Sequence, residues 1–290
     1  MSSVPNSAVE PESAASTAAK PEKMLAGFPW VSAIVLYTLS WGWSLLRPNT
    51  LYWDDWNDLF QRNKWFARDY YLSTGRPPWE GVAHALLTPI GVWTFTYLTF
   101  ILFFASGLLL YLILRPTSFF PDQDLKFVVL IFMIVPVNHA RISAIIFQYT
   151  TSYFLFFLGW FVLVRFKSTK SFAFSCVILF LSFKTHSFLF FVLLPFLHFG
   201  WLNRAKLTDL KRLNRINFKL LVIAVLPVLY VISRSVFWPP SESWQAYQQP
   251  TRAGVLTGLW PVVIGLVGLL IIGVRRLKKV KTPLGLVLLV

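Results

Sequence analysis

The sequence predicts an all-α integral membrane protein of about eight transmembrane helices plus a partial ninth, with amphipathic interfacial helices in a long first extracytoplasmic loop. Three observations carry that expectation. The chain is 56% hydrophobic and 18% aromatic, with a mean hydropathy of +0.60, unlike a soluble globular composition. Several apolar runs approach the ~20 residues that a helix needs to cross ~30 Å of hydrocarbon. These runs do not alternate as the ~10-residue strands of a transmembrane barrel would.

Residues 1–24 are rich in Ser, Ala, Pro and Glu and lack apolar periodicity, so they read as a disordered cytoplasmic tail. Residues 25–290 then form one polytopic transmembrane domain. Its first run, Ala26 to Leu46, is long enough to span and too long for a signal peptide. The loop at 47–90 follows. Within it, Tyr52 to Thr74 has helical spacing, with Trp56, Leu59, Phe60, Phe66 and Tyr70 on one face and polar residues opposite. The run Ser73-Thr74-Gly75-Arg76-Pro77-Pro78 breaks that helix, and Trp79 to Thr88 reads as a second interfacial turn. Further spans are expected near 91–114, 126–138, 142–164, 171–184, 186–201, 219–237 and 254–274. The apolar stretch after Lys281 is too short to span, so the chain reads as truncated at its C-terminus.

Charge orients this arrangement. With the N-terminus in the cytoplasm, eighteen of the 27 Lys and Arg residues fall on inside segments and only four on the short outside loops. The positive-inside rule favours that topology. It also accounts for the net charge of +15 by membrane-flanking residues rather than by nucleic acid. The lone Cys176 excludes a disulfide framework and a cysteine metal cluster. Gly-rich phosphate loops are absent, which argues against a nucleotide-hydrolysing pump.

Acid is scarce, and its distribution points to a site. Five of the twelve Asp and Glu residues (Asp54, Asp55, Asp58, Asp69, Glu80) lie between Arg47 and Ile90. Asp54 and Asp55 are adjacent and bracketed by Trp53 and Trp56, on the expected outer face. A partly desolvated carboxylate there can act as a general base toward a hydroxyl. Adjacent Asp side chains diverge in extended chain, so one can face a site while the other anchors the loop. Capping of a helix that begins at Trp56 is the competing role. The same face is expected to gather His139, Arg141, Lys184, His186 and Arg234, cationic or imidazole groups close to the membrane. Arg76 joins them from the loop. Such a set suits an anionic lipid phosphate, although snorkelling to ordinary headgroups explains any single member. Lys184-Thr185-His186 stands out, because its turn is very short. His84 and His198 read as structural, and no HExxH or CxxC spacing is present.

The run Tyr52-Trp53-Asp54-Asp55-Trp56, followed by Gly75-Arg76-Pro77, resembles the GT-C superfamily of membrane glycosyltransferases, in particular bacterial members that decorate O-antigen and other envelope glycans. The resemblance implies a polyprenyl-phosphate-linked sugar donor and a glycan or lipid acceptor. It implies transfer on the extracytoplasmic side of the bilayer, usually with inversion. Asp55 or Asp54 would be the base that deprotonates the acceptor, and Arg76 would pair with the lipid phosphate. Some related enzymes need Mg²⁺ or Mn²⁺, which an acidic pair can hold with carbonyls or water; no metal is assigned. Competing readings are a polysaccharide polymerase or ligase, a transporter or lipid flippase, and an inactive fragment. The polar residues cluster at span ends and no internal repeat is present, which counts against a transporter.

Overall fold

The computed structural model describes residues 27–52, 55, 65–117, 120–135, 143–184, 187–203 and 210–242. Among them every regular element is helical and there is no strand. The tail at 1–24, the expected span at 254–274, and Asp54, Asp58, His139, Arg141 and His186 lie outside the described residues.

The first expected span is two pieces, α1 (Trp30–Trp41) and α2 (Trp43–Leu46). They part at Gly42, where a Cβ would lie 2.4 Å from the Thr38 carbonyl oxygen. Two short helices then form a hairpin, α3 (Phe66–Ser73) and α4 (Trp79–Leu87). After it, α5 (Trp93–Leu114) runs for 22 residues, about 33 Å at 1.5 Å per residue.

The helix α6 (Asp122–Ile134) starts with Asp122 and Asp124 in its first turn, where the helix dipole favours acid, and Asp122 pairs with Lys126. It stops after 13 residues, because Val135 is extended ahead of Pro136. Its last carbonyls would be orphaned in an apolar setting. Side chains of α1 take them up: Trp41 Nε1 donates to the Met133 oxygen at 2.9 Å, and Ser40 Oγ to the Ile134 oxygen at 3.0 Å. Gly107 leaves room on α5 for Met133, whose Cε would lie 2.3 Å from a Cβ there.

A second group packs around α7 (Phe147–Arg165), α8 (Thr169–Ser182), α9 (Ser187–Phe191), α10 (Leu193–Leu202) and α11 (Leu210–Phe237). The Ser168 hydroxyl caps α8 by accepting from Ser171 N–H at 3.0 Å. Close approach of α7 and α8 rests on small residues: Ser175 Oγ donates to the Gly159 oxygen at 2.7 Å, and Leu179 fills the space above Gly159. The core of this half is aromatic, with Phe156 stacked on Phe188 at 4.6 Å. Trp160 Nε1 donates to His198 Nδ1 at 3.1 Å, so both polar atoms are satisfied inside it.

Among the described residues, three helical segments are long and apolar enough to cross a membrane: Trp93–Thr117, Phe147–Arg165 and Ile216–Phe237. Trp30–Trp41, Thr169–Ser182 and Phe188–Leu202 are apolar but shorter. Large apolar side chains on α1, α2 and α11 face outward, among them Val31, Leu39, Leu46, Phe218, Leu221 and Val236. Outward apolar faces of this extent suit lipid rather than water. The described residues are therefore all-helical, with three helices among them of membrane-spanning length and composition.

Candidate functional site

One end of the bundle brings together the first loop, the start of α7, the turn after α8 and the end of α11. The hairpin of α3 and α4 is its frame. Gly81 permits the close crossing, since a Cβ there would lie 2.1 Å from Arg68 Cα. The turn itself is a Schellman helix end. Gly75 takes φ +71°, Gly75 N–H donates to the Leu72 oxygen at 3.0 Å, and Arg76 N–H to the Tyr71 oxygen at 2.8 Å. Pro77 and Pro78 follow, as suits chain that cannot continue the helix. The Gly-Arg-Pro run thus has a local backbone reason. It also fixes where Arg76 goes: its guanidinium lies 5.8 Å from the centre of the Tyr71 ring.

Lys184 reaches the same ring from the turn after α8, with Nζ 5.4 Å from its centre, although the two residues are far apart in sequence. Lys184 is buried and Arg76 half-buried. His84, on α4, is buried between Tyr71 at 5.9 Å and Phe95 at 5.0 Å, with Phe147 at 6.4 Å. Burial, and secondarily the Lys184 charge, pushes the His84 pKa down to about 4, so the imidazole is neutral at pH 7. Its Nε2 is buried and has no hydrogen-bond partner among the described residues. Two cations and a neutral imidazole therefore surround one tyrosine ring.

The end of α11 clamps this frame. Arg234 Nε donates to the Gly75 oxygen at 2.8 Å. Ser241 N–H and Oγ both donate to the Ser73 oxygen, at 2.9 and 3.1 Å. Trp238 meets Trp79 edge to face at 5.3 Å. A Cβ on Gly75 would lie 2.9 Å from Pro240.

Asp55 closes the other side. It is fully buried. Its Oδ1 accepts from Ser143 Oγ at 2.6 Å, and its Oδ2 from Tyr52 N–H at 2.9 Å and Ala144 N–H at 3.1 Å. Ala144 opens a single 3-10 turn, Ala144–Ile146, that leads straight into α7. The carboxylate thus caps a helix entry 88 residues away from its own position. These contacts tie the first loop to the start of α7. Trp56, where the capped helix is expected to begin, lies outside the described residues.

Arg76 and Lys184 are brought together, while Asp55 sits in its own hydrogen-bonded pocket against Ser143. Arg234 reaches the turn backbone. The histidine reasoning from sequence set aside, His84, lies at the centre. Only the packing of α4 against α3 and α5 reveals that position. No group of three His, Cys, Asp or Glu residues comes together among the described residues. The Asp55 oxygens face N–H and O–H donors; Asp54, the other half of the pair expected to hold Mg²⁺ or Mn²⁺, lies outside the described residues. No family model, curated protein or solved structure matches the chain.

Proposed function

We propose that the chain is an integral membrane glycosyltransferase that moves a sugar from a polyprenyl-phosphate donor to a hydroxyl of an envelope glycan or lipid on the extracytoplasmic side. The observation that carries this reading is the convergence of Arg76 and Lys184 on the Tyr71 ring, two cations at the end of the bundle where the acidic first loop is tied down. A lipid phosphate leaving with negative charge gains from fixed cations in a low-dielectric setting. Basic residues are concentrated at the opposite helix ends, which supports an outward orientation for the Tyr71 end.

In this reading Asp54 is the general base and its neighbour Asp55 the anchor. Asp55 is committed to three hydrogen bonds, which leaves the adjacent carboxylate to take the acceptor proton. Arg76 and Lys184 hold the donor phosphate; Arg141, His139 and His186, read from the sequence, are further candidates for that contact. Glycan analysis of a deletion strain tests the assignment. Wild-type protein should restore the sugar, and Asp54→Asn, at equal abundance, should not. Full restoration by Asp54→Asn overturns it.

A further inference from the structure

We infer that His84 is a third ligand of the phosphate group held by Arg76 and Lys184, its Nε2 contacting a phosphate oxygen in a pocket floored by the Tyr71 ring. This inference rests on the reading of that end as a lipid-phosphate site and adds a residue which carries no formal charge. Three observations combine. His84 Nε2 is sealed from solvent and has no hydrogen-bond partner among the described residues, a costly condition for a polar atom unless something arrives to satisfy it. The imidazole lies against the same ring that both cations approach, at 5.9 Å, with Lys184 at 5.4 Å and Arg76 at 5.8 Å. Exposure falls from half-buried Arg76 to buried Lys184 and His84, so an anion entering past the guanidinium meets the ammonium and then the imidazole.

The neutral state of His84 matters here. A neutral imidazole still offers an N–H to a phosphate oxygen, without adding a third positive charge to the empty site. Packing alone would ask for an aromatic ring at this position, between Tyr71 and Phe95. Ligation asks for a polar atom where Nε2 stands. Two substitutions separate these demands. His84→Phe keeps the ring and removes the donor, while His84→Gln removes the ring and keeps an amide N–H at the reach of Nε2.

The test uses the full chain in detergent micelles, with dodecyl phosphate as lipid-phosphate probe, inorganic phosphate as free-anion probe, and binding followed by calorimetry at pH 7.5. His84→Phe should weaken dodecyl phosphate binding by roughly tenfold or more, as expected for loss of a hydrogen bond to a charged group. His84→Gln should stay within about threefold of wild type on the same scale. Tighter binding of dodecyl phosphate than of inorganic phosphate assigns the site to a lipid-borne group; equal binding assigns it to phosphate as such and still supports the contact. Unchanged binding in His84→Phe, or equal loss in both variants, overturns the inference. If neither variant folds, dodecyl phosphate must shift the His84 imidazole resonance of ¹⁵N-histidine-labelled wild type, and no shift overturns it. Binding requires no sugar transfer, so a His84-dependent site in a chain that transfers nothing would sink the glycosyltransferase reading alone. Normal transfer with His84-independent binding would sink this inference alone.

Discussion

Ser143 Oγ donates to Asp55 Oδ1 at 2.6 Å, joining the first loop to the entry of α7 across 88 residues. In the proposed function this contact gives the two adjacent aspartates different work. Asp55→Ala should destabilise the chain by about 2–3 kcal/mol, since it strands the donors at Tyr52, Ser143 and Ala144. Ser143→Ala, which removes one donor, should cost about 1–2 kcal/mol. Thermal unfolding in detergent would check both. Equal melting of Asp55→Ala and wild type would show that the carboxylate does not hold the loop.

Gly75 should resist replacement. Its φ of +71° disfavours any side chain, and a Cβ would lie 2.9 Å from Pro240. Gly75→Ala should cost roughly 1–2 kcal/mol from backbone strain. Because the turn places Arg76, lipid-phosphate binding should fall with it. A neutral effect on both would contradict the Schellman turn.

Gly81→Ala should be worse. The added Cβ would meet the Arg68 backbone at 2.1 Å, and backbone cannot swing aside as a side-chain tip does. The hairpin of α3 and α4 must open by more than an ångström, at a cost of about 3 kcal/mol, the upper end of ordinary overpacking. Limited proteolysis between residues 65 and 88 would report the opening.

Stability should depend on mildly acid pH through His84. Its folded pKa is about 4, against an ordinary value of 6.5. The unfolded chain therefore binds more protons between these values, and stability rises with pH there. The contribution is complete above about pH 6.5 and is lost as pH falls toward 4, roughly 3 kcal/mol in all. Melting temperature measured from pH 7.5 to 4 should decline in wild type and decline less in His84→Gln. Identical profiles would mean that His84 does not carry the effect.

The sequence was most readable where a local rule applied. Hydropathy located α5 and the C-terminal ends of α7 and α11 within two residues, although α7 starts five residues later and α11 nine residues earlier than expected, and the breakers at Gly75 and Pro77 marked the hairpin turn. Lengths were less readable. The run at 126–138 is apolar from Phe127 to Val137, yet α6 ends at Ile134 because Pro136 forces Val135 out of the helix and α1 side chains donate to the carbonyls of the shortened end. Of the expected interfacial helix over Tyr52 to Thr74, the described residues include α3 (Phe66–Ser73), in which Ala67 and Tyr71 are buried while Phe66 and Tyr70 are half-buried. The site was legible as a list of charges near span ends. Its geometry was not, because Tyr71, His84 and Lys184 meet only through packing of three elements. Asp55 illustrates the limit best. Spacing made anchor and base equally reasonable, and the partner that holds the carboxylate, Ser143, is 88 residues away.

The most direct test of the central claim is transfer by the purified chain in liposomes. A panel of radiolabelled hexosyl polyprenyl phosphates would be supplied with a cell-envelope extract as acceptor. Wild type should move label from one of these lipids into the extract, and Asp54→Asn at equal incorporation should move none. Label that stays on every lipid, or moves equally well with Asp54→Asn, would contradict the account.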